Sequence, residues 1–175
     1  ASTGGLSFDD GTLDTGDNAV TIDHAITLES GGGTFAVDNK VVVGGTVSKN
    51  IRLDGGISGS GGLTKTGSGS VVLSGVNTYS GDTKIKDGRL LLFSSNGTSA
   101  SSDVILSDGT QFTLFGNDAS IGALRSAGSG GDGGSVLLSD GALTLGSNDG
   151  SATFRGIISG DGGTLTKTGT GTQTL

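Results

Sequence analysis

The only histidine, His24, stands beside Asp23 in the run Ile22-Asp-His-Ala-Ile-Thr-Leu28. An imidazole oriented by a neighbouring carboxylate is a candidate general base. Successive residues of a strand point to opposite faces, so an extended reading of this run keeps the two side chains apart. Carboxylates offer a second chemistry. The chain has sixteen Asp and one Glu, Glu29, and the densest run is Asp9-Asp10-Gly-Thr-Leu-Asp14-Thr-Gly-Asp17. Its spacing departs from the helix-flanked calcium loop, which takes ligands at alternating positions and a Glu at the twelfth. In Gly130-Gly-Asp-Gly-Gly-Ser-Val-Leu-Leu138, the slot where a calcium-binding nonapeptide needs Asp holds Ser135. Asx turns and solubilising charge account for these residues, and neither a metal nor a cofactor is expected. Glycan cleavage would need Asp residues grouped together, or grouped with Arg and Lys, on one exposed face. Arg52 with Asp54, Lys84 with Lys86, and Arg89 are the candidates. They are scattered, and no aromatic platform for sugar stacking is expected beside them. No Gly-x-Ser-x-Gly elbow with a partnering His is evident. The glycine runs Gly59–Gly62 and Gly128–Gly134 lack the Gly-Lys-Ser/Thr ending of a phosphate loop. Asn96-Gly-Thr98 spells a glycosylation sequon and reads as a turn. The expectation is therefore no catalytic residue.

The elements that would carry such residues are short strands. Gly, Ser and Thr make up 83 of 175 residues, with no Pro and no Cys. Collagen is excluded, because Gly has no three-residue period and there is no Pro. At 31% hydrophobic and 15% charged, the chain does not have the composition of a disordered segment. Only seven residues are aromatic, six Phe and Tyr79, which predicts a narrow, aliphatic core. A net charge of -7 argues against nucleic acid and anionic membrane surfaces. Apolar runs of four residues or fewer cannot span a bilayer as helices. Ala1 does not open a signal peptide, and no closing element follows Gly171, so the chain reads as a piece of something longer. Pieces such as Val20–Ile22, Lys40–Val43, Ser70–Leu73, Arg89–Phe93 and Gln111–Phe115 are β-prone and bounded by Gly, Asn, Asp or Ser. Within them, Phe35/Val37, Thr83/Ile85, Phe112/Leu114 and Leu143/Leu145 should point the same way. Asp-Gly pairs, Asp10, Asp87 and Asp140 among them, mark sharp corners.

Internal repeats separate hairpins from a solenoid. Ile57-Ser-Gly-Ser-Gly-Gly-Leu-Thr-Lys-Thr-Gly67 returns as Ile158-Ser-Gly-Asp-Gly-Gly-Thr-Leu-Thr-Lys-Thr-Gly169. Leu106-Ser-Asp-Gly109 returns as Leu138-Ser-Asp-Gly141. Inexact repeats with slipping spacers suit stacked coils, whose corners absorb insertions while the strands keep register. The expected fold is all-β: a right-handed parallel β-helix rather than a β-sandwich. At roughly 20–29 residues per coil it would hold about seven or eight coils, without end caps. The absence of Pro fits strands that are hydrogen-bonded on both sides.

The segment Gly62-Leu-Thr-Lys-Thr-Gly-Ser-Gly-Ser-Val-Val-Leu-Ser-Gly-Val-Asn-Thr-Tyr-Ser-Gly-Asp-Thr-Lys-Ile-Lys-Asp-Gly-Arg-Leu90 closely resembles the passenger-associated transport repeat of bacterial autotransporters. The resemblance implies one β-helix segment over residues 1–175, with transport-type repeats at 57–92 and 158–175, the second truncated. The repeat positions are Gly62, Leu63, Thr64, Lys65, Gly67, Asn77, Tyr79 and Gly81, then Gly163, Leu165, Lys167 and Gly169. Their expected roles are structural, with Asn77 satisfying backbone groups inside a corner and Tyr79 covering the apolar interior. The resemblance further implies a passenger secreted to the Gram-negative cell surface, with its own membrane barrel C-terminal to this segment. Its function would be a non-enzymatic stalk supporting adhesion, self-association and passenger transport or folding. The expected partners are a host surface or a second copy. A β-helix enzyme acting on polysaccharide, as lyase or hydrolase, is the alternative.

Overall fold

The computed structural model describes residues 4–16, 18–43, 45–128 and 130–175. Short strands separated by bends return the chain to the same three faces about every twenty residues, building a β-solenoid of about seven coils. Coil one is β1 (Leu6–Phe8), β2 (Gly11–Asp14) and β3 (Val20–Ile22). Coil two is β4 (Ile26–Leu28), β5 (Gly33–Ala36) and, after a ribbon of β6 (Lys40–Val42) and β7 (Gly45–Val47), β8 (Asn50–Leu53). Coil three is β9 (Ile57–Gly59), β10 (Leu63–Thr66) and β11 (Ser70–Leu73). Coils four and five carry strands on two faces only: β12 (Thr83–Ile85) with β13 (Arg89–Leu92), then β14 (Val104–Leu106) with β15 (Gln111–Thr113). Coil six restores all three with β16 (Ala119–Ile121), β17 (Leu124–Ser126) and β18 (Ser135–Leu137). Coil seven is β19 (Ala142–Leu145), β20 (Ala152–Thr153) and β21 (Ile157–Ser159), followed by β22 (Thr164–Lys167) and β23 (Gln173–Thr174).

Every coil-to-coil pairing among the described residues is parallel. The exception in direction is local: β6 and β7 pair antiparallel within one coil. On the third face one row runs Val20, Ile51, Val71, Leu90, Phe112, Val136 and Ile158. Successive partners lie 19 to 24 residues apart, except for the 31-residue step of the coil that holds the ribbon. The repeats therefore report coils, and the Asp-Gly pairs are corners. Asp10, Asp140 and Asp149 adopt left-handed φ themselves, whereas after Asp87 and Asp108 the glycine does.

The core is the inside of the coil. Phe35, Val37, Thr83, Ile85, Phe112, Leu114, Leu143 and Leu145 are all buried, as the two-residue alternation requires. Stacked Leu, Ile and Val form one continuous apolar column with Phe8, Phe35, Phe112 and Phe154. Each such side chain contributes about 1.5–3 kcal/mol when fully buried.

Candidate functional site

The first face is interrupted where the sequence reads Val76-Asn-Thr-Tyr79, and the interruption still carries the ladder. Thr78 N–H donates to Ile57 O (2.7 Å) and Ser80 N–H to Gly59 O (3.0 Å). These bonds set Asn77 over Ile57 and Tyr79 over Gly59, in the row that begins with Phe8 and Leu28. Gly59 leaves that row without a side chain, and Tyr79, fully buried, fills it. Asn77, only 5% exposed, works along the axis. Its Oδ1 accepts from Ile57 N–H (2.8 Å) and its Nδ2 donates to Gly97 O (2.7 Å). One amide thus ties coils three, four and five. Tyr79 Oη shares a hydrogen bond with Thr83 Oγ1 (2.6 Å), which pairs in turn with Ser102 Oγ (2.9 Å). Burial pushes the Tyr79 phenol up to about 12, against the lowering effect of the Thr83 and Ser102 hydroxyls.

Lys65 occupies an inward position of β10, between Phe35 of β5 and Ile85 of β12. It is fully buried. Its four-carbon stem lines the core, and Nζ donates to Thr66 O (2.6 Å), Gly67 O (2.5 Å) and Asp87 O (3.3 Å). Burial lowers its pKa to about 8, opposed by the Asp87 and Asp38 carboxylates. The second copy makes the same corner: Lys167 Nζ donates to Thr168 O and Gly169 O. In both copies the residue two after the lysine is a left-handed glycine, Gly67 (φ 76°) or Gly169 (φ 67°), which swings those carbonyls toward Nζ. Gly62 and Gly81 stack too closely for any side chain, since a Cβ on Gly81 would run into the Gly62 nitrogen. Leu63 is buried, Thr64 lies on the outer side of β10, and Leu165 is 38% exposed. A Cβ on Gly163 would run into the Leu138 side chain.

Two expectations need correction. Asp23 and His24 do meet, with Oδ1 and Nδ1 2.7 Å apart. They lie in the bend between β3 and β4, where strand alternation does not apply. Arg52 pairs with Asp54 (Nε–Oδ1 2.6 Å), and an aromatic surface does stand beside them. The Arg52 guanidinium lies 5.8 Å from the Phe93 ring centre, and Phe93 packs on Phe115 with centroids 5.3 Å apart. Coil stacking aligns residues that the sequence separates by more than forty positions. The other basic candidates disperse: Lys84 lies on the second face, and Arg89 lies in a row with Asn50, Ser70 and Gln111. In the acidic run, Asp9 Oδ1 accepts from Gly31 N–H and Asp14 Oδ1 from Gly16 N–H, while Asp17 lies outside the described residues.

A polar staple went unread in the sequence. Asp103, 8% exposed, accepts from Arg125 Nε (2.6 Å) and from Asn148 Nδ2 (2.9 Å), joining coils five, six and seven. Its only sequence signal is spacing, 22 and 23 residues, close to one coil each.

Residues 63–92 match the passenger-associated-transport-repeat family. They run from the start of β10 to the end of β13 and contain Lys65, Asn77 and Tyr79. Over 173 residues, 97% of the chain, the sequence is 35% identical to the adhesin BmaC autotransporter of Brucella suis biovar 1 (strain 1330). The chain is a segment of an autotransporter passenger. It spans 5% of that adhesin's length. The passenger segment is also 44% identical over 89 residues to an extracellular serine protease of Serratia marcescens, covering 51% of the segment and 8% of the protease. No solved structure matches it. These relationships make it a bacterial protein secreted to the cell surface.

Proposed function

We propose that the segment is a non-enzymatic stalk that carries adhesive surface away from the cell and helps its own passenger fold during export. The observation that supports this reading is where the family match falls. It covers the coils in which Asn77 and Lys65 bond to the backbone of neighbouring coils and Tyr79 fills the core. Their side-chain bonds are spent on structure, and all three side chains are buried. Residues 158–175 repeat the lysine corner and act as a second transport-type repeat. A solenoid adds one coil at a time, each templated by the one before it, so folding at the cell surface would draw the chain outward. The family relationship implies a translocator barrel in the full-length protein, and the adhesin relative supports an adhesive role.

Excision of residues 57–90 from the full-length protein tests the transport role. The expected result is a passenger that reaches the surface in reduced amount and in a form that added protease degrades. Normal amounts of a protease-resistant passenger would contradict it.

A further inference from the structure

We propose that the corner between the third and first faces at coils four and five binds a neutral glycan chain presented by an apposed cell. The proposal rests on the adhesive reading above and gives it a ligand class. Of the seven aromatic residues, five are core residues with at most 9% of their surface exposed. Phe93 and Phe115 are the other two, 49% and 52% exposed, and they stand together with their rings tilted 51°. Phe115 does so at φ 51°. A bulky side chain in the left-handed region costs stability, and such strain is held by the surrounding structure and gathers at functional sites.

The chain that follows each ring lines a concavity of about 600 Å³ on the first face. It forms where coil five replaces its strand with the turn at 96–101. Ser95 and Asn96 line it two and three residues after Phe93, and Asp118 lines it three residues after Phe115. Ser101, Ser120 and Thr144 continue the wall. The proposed site therefore joins the exposed ring pair to a groove of hydroxyls, two amides, Asn77 and Asn96, and one carboxylate. A pyranose fits this chemistry, because its C–H face is the electropositive partner that a ring face attracts and its hydroxyls both donate and accept.

Charge selects the class of glycan. The groove lining holds one ionisable side chain, Asp118, and no cation. The nearby Arg52 is neutralised by Asp54 and lies against Phe93, so it presents no free charge to a sulfate or sialate. A second copy of the chain is disfavoured as the occupant. Two rings beside a polar groove fall far short of the roughly 800 Å² per partner that a stable protein interface buries.

The test uses the chain of residues 1–175 on an array of neutral hexose oligosaccharides, their sialylated and sulfated forms, and bacterial polysaccharides. Binding should appear on the neutral oligosaccharides and weaken at least tenfold in Phe93→Ser and in Phe115→Gly. Glycine accepts the left-handed φ, which offsets the lost packing on Phe93, so Phe115→Gly should melt within a few degrees of the parent, and binding lost at that midpoint is not lost folding. Several results would overturn the proposal. These are binding to charged glycans or bacterial polysaccharides alone, binding unchanged in both variants, no binding, or a concentration-dependent mass that Phe115→Gly abolishes. Beads coated with the chain separate this failure from that of the adhesive reading. If they attach to cells stripped of glycans, adhesion stands without a glycan site; if they attach to no cells, the adhesive reading fails as well.

Discussion

Replacing Tyr79 by Ala should lower the unfolding free energy by about 4 kcal/mol, as for other large aromatic truncations in a core. Tyr79 is fully buried and fills a row that Gly59 leaves without a side chain, so nothing beneath it can expand into the space. Truncation also removes the phenol that caps the chain of hydroxyls through Thr83 and Ser102. Tyr79→Phe isolates the second effect. Thr83 keeps its bond to Ser102, so this variant should lose only about 1 kcal/mol, the net worth of one hydrogen bond. Urea unfolding of both variants, with the slope m checked for constancy, measures the difference. Equal losses in the two would mean that the ring contributes nothing beyond its hydroxyl.

Stability should rise as the solution is made alkaline, and Lys65 should cause it. Unfolded, this lysine titrates near 10.5; folded, near 8. Below pH 8 it is charged in both states, and folding bears the full cost of burying an ammonium. Between 8 and 10.5 the unfolded chain holds the extra proton, so raising the pH favours the folded state. Above 10.5 the cost is gone. From pH 7.5 to 9.5 the unfolding free energy should gain about 2 kcal/mol from this residue. Tyr79 has the opposite sign at higher pH. Its folded pKa of about 12 exceeds the unfolded value near 10, so its contribution is intact below pH 10 and is lost from 10 to 12. Stability should therefore peak near pH 10. Lys65→Met should remove the rise between 7.5 and 9.5 while keeping the fall above 10. An unchanged rise in that variant would assign the effect to other groups.

The coils were legible in the sequence because their determinants are local and repeated. Glycine and Asp-Gly corners, two-residue alternation and the return of Ile57–Gly67 at Ile158 all act within one coil and recur in the next. Contacts along the axis were much less legible. Coil lengths vary from 19 to 31 residues, so which residues share a row depends on the accumulated length of every corner between them. Arg52 beside Phe93, Phe93 on Phe115, and Asp103 between Arg125 and Asn148 all arise in this way. Lys40–Val43 illustrates the converse. Its β-branched residues announce a strand, and a strand forms, but it pairs with its own neighbour β7 rather than with the adjacent coil. The Asp23–His24 pair was misread because a bend replaced the strand that alternation assumes.

Coils three to five, tied by Asn77 and filled by Tyr79, should be the most stable part of the segment. Native-state hydrogen exchange resolves stability residue by residue along such a stack. The amides of Ile57, Thr78, Ser80 and Thr83, which donate to Asn77 Oδ1, Ile57 O, Gly59 O and Asp103 O, should exchange only through global unfolding. Tyr79→Ala should lower their protection more than that of Leu6 or Thr164 in the outer coils. Faster exchange at those four amides than at Leu6 and Thr164 in the parent chain would contradict the account.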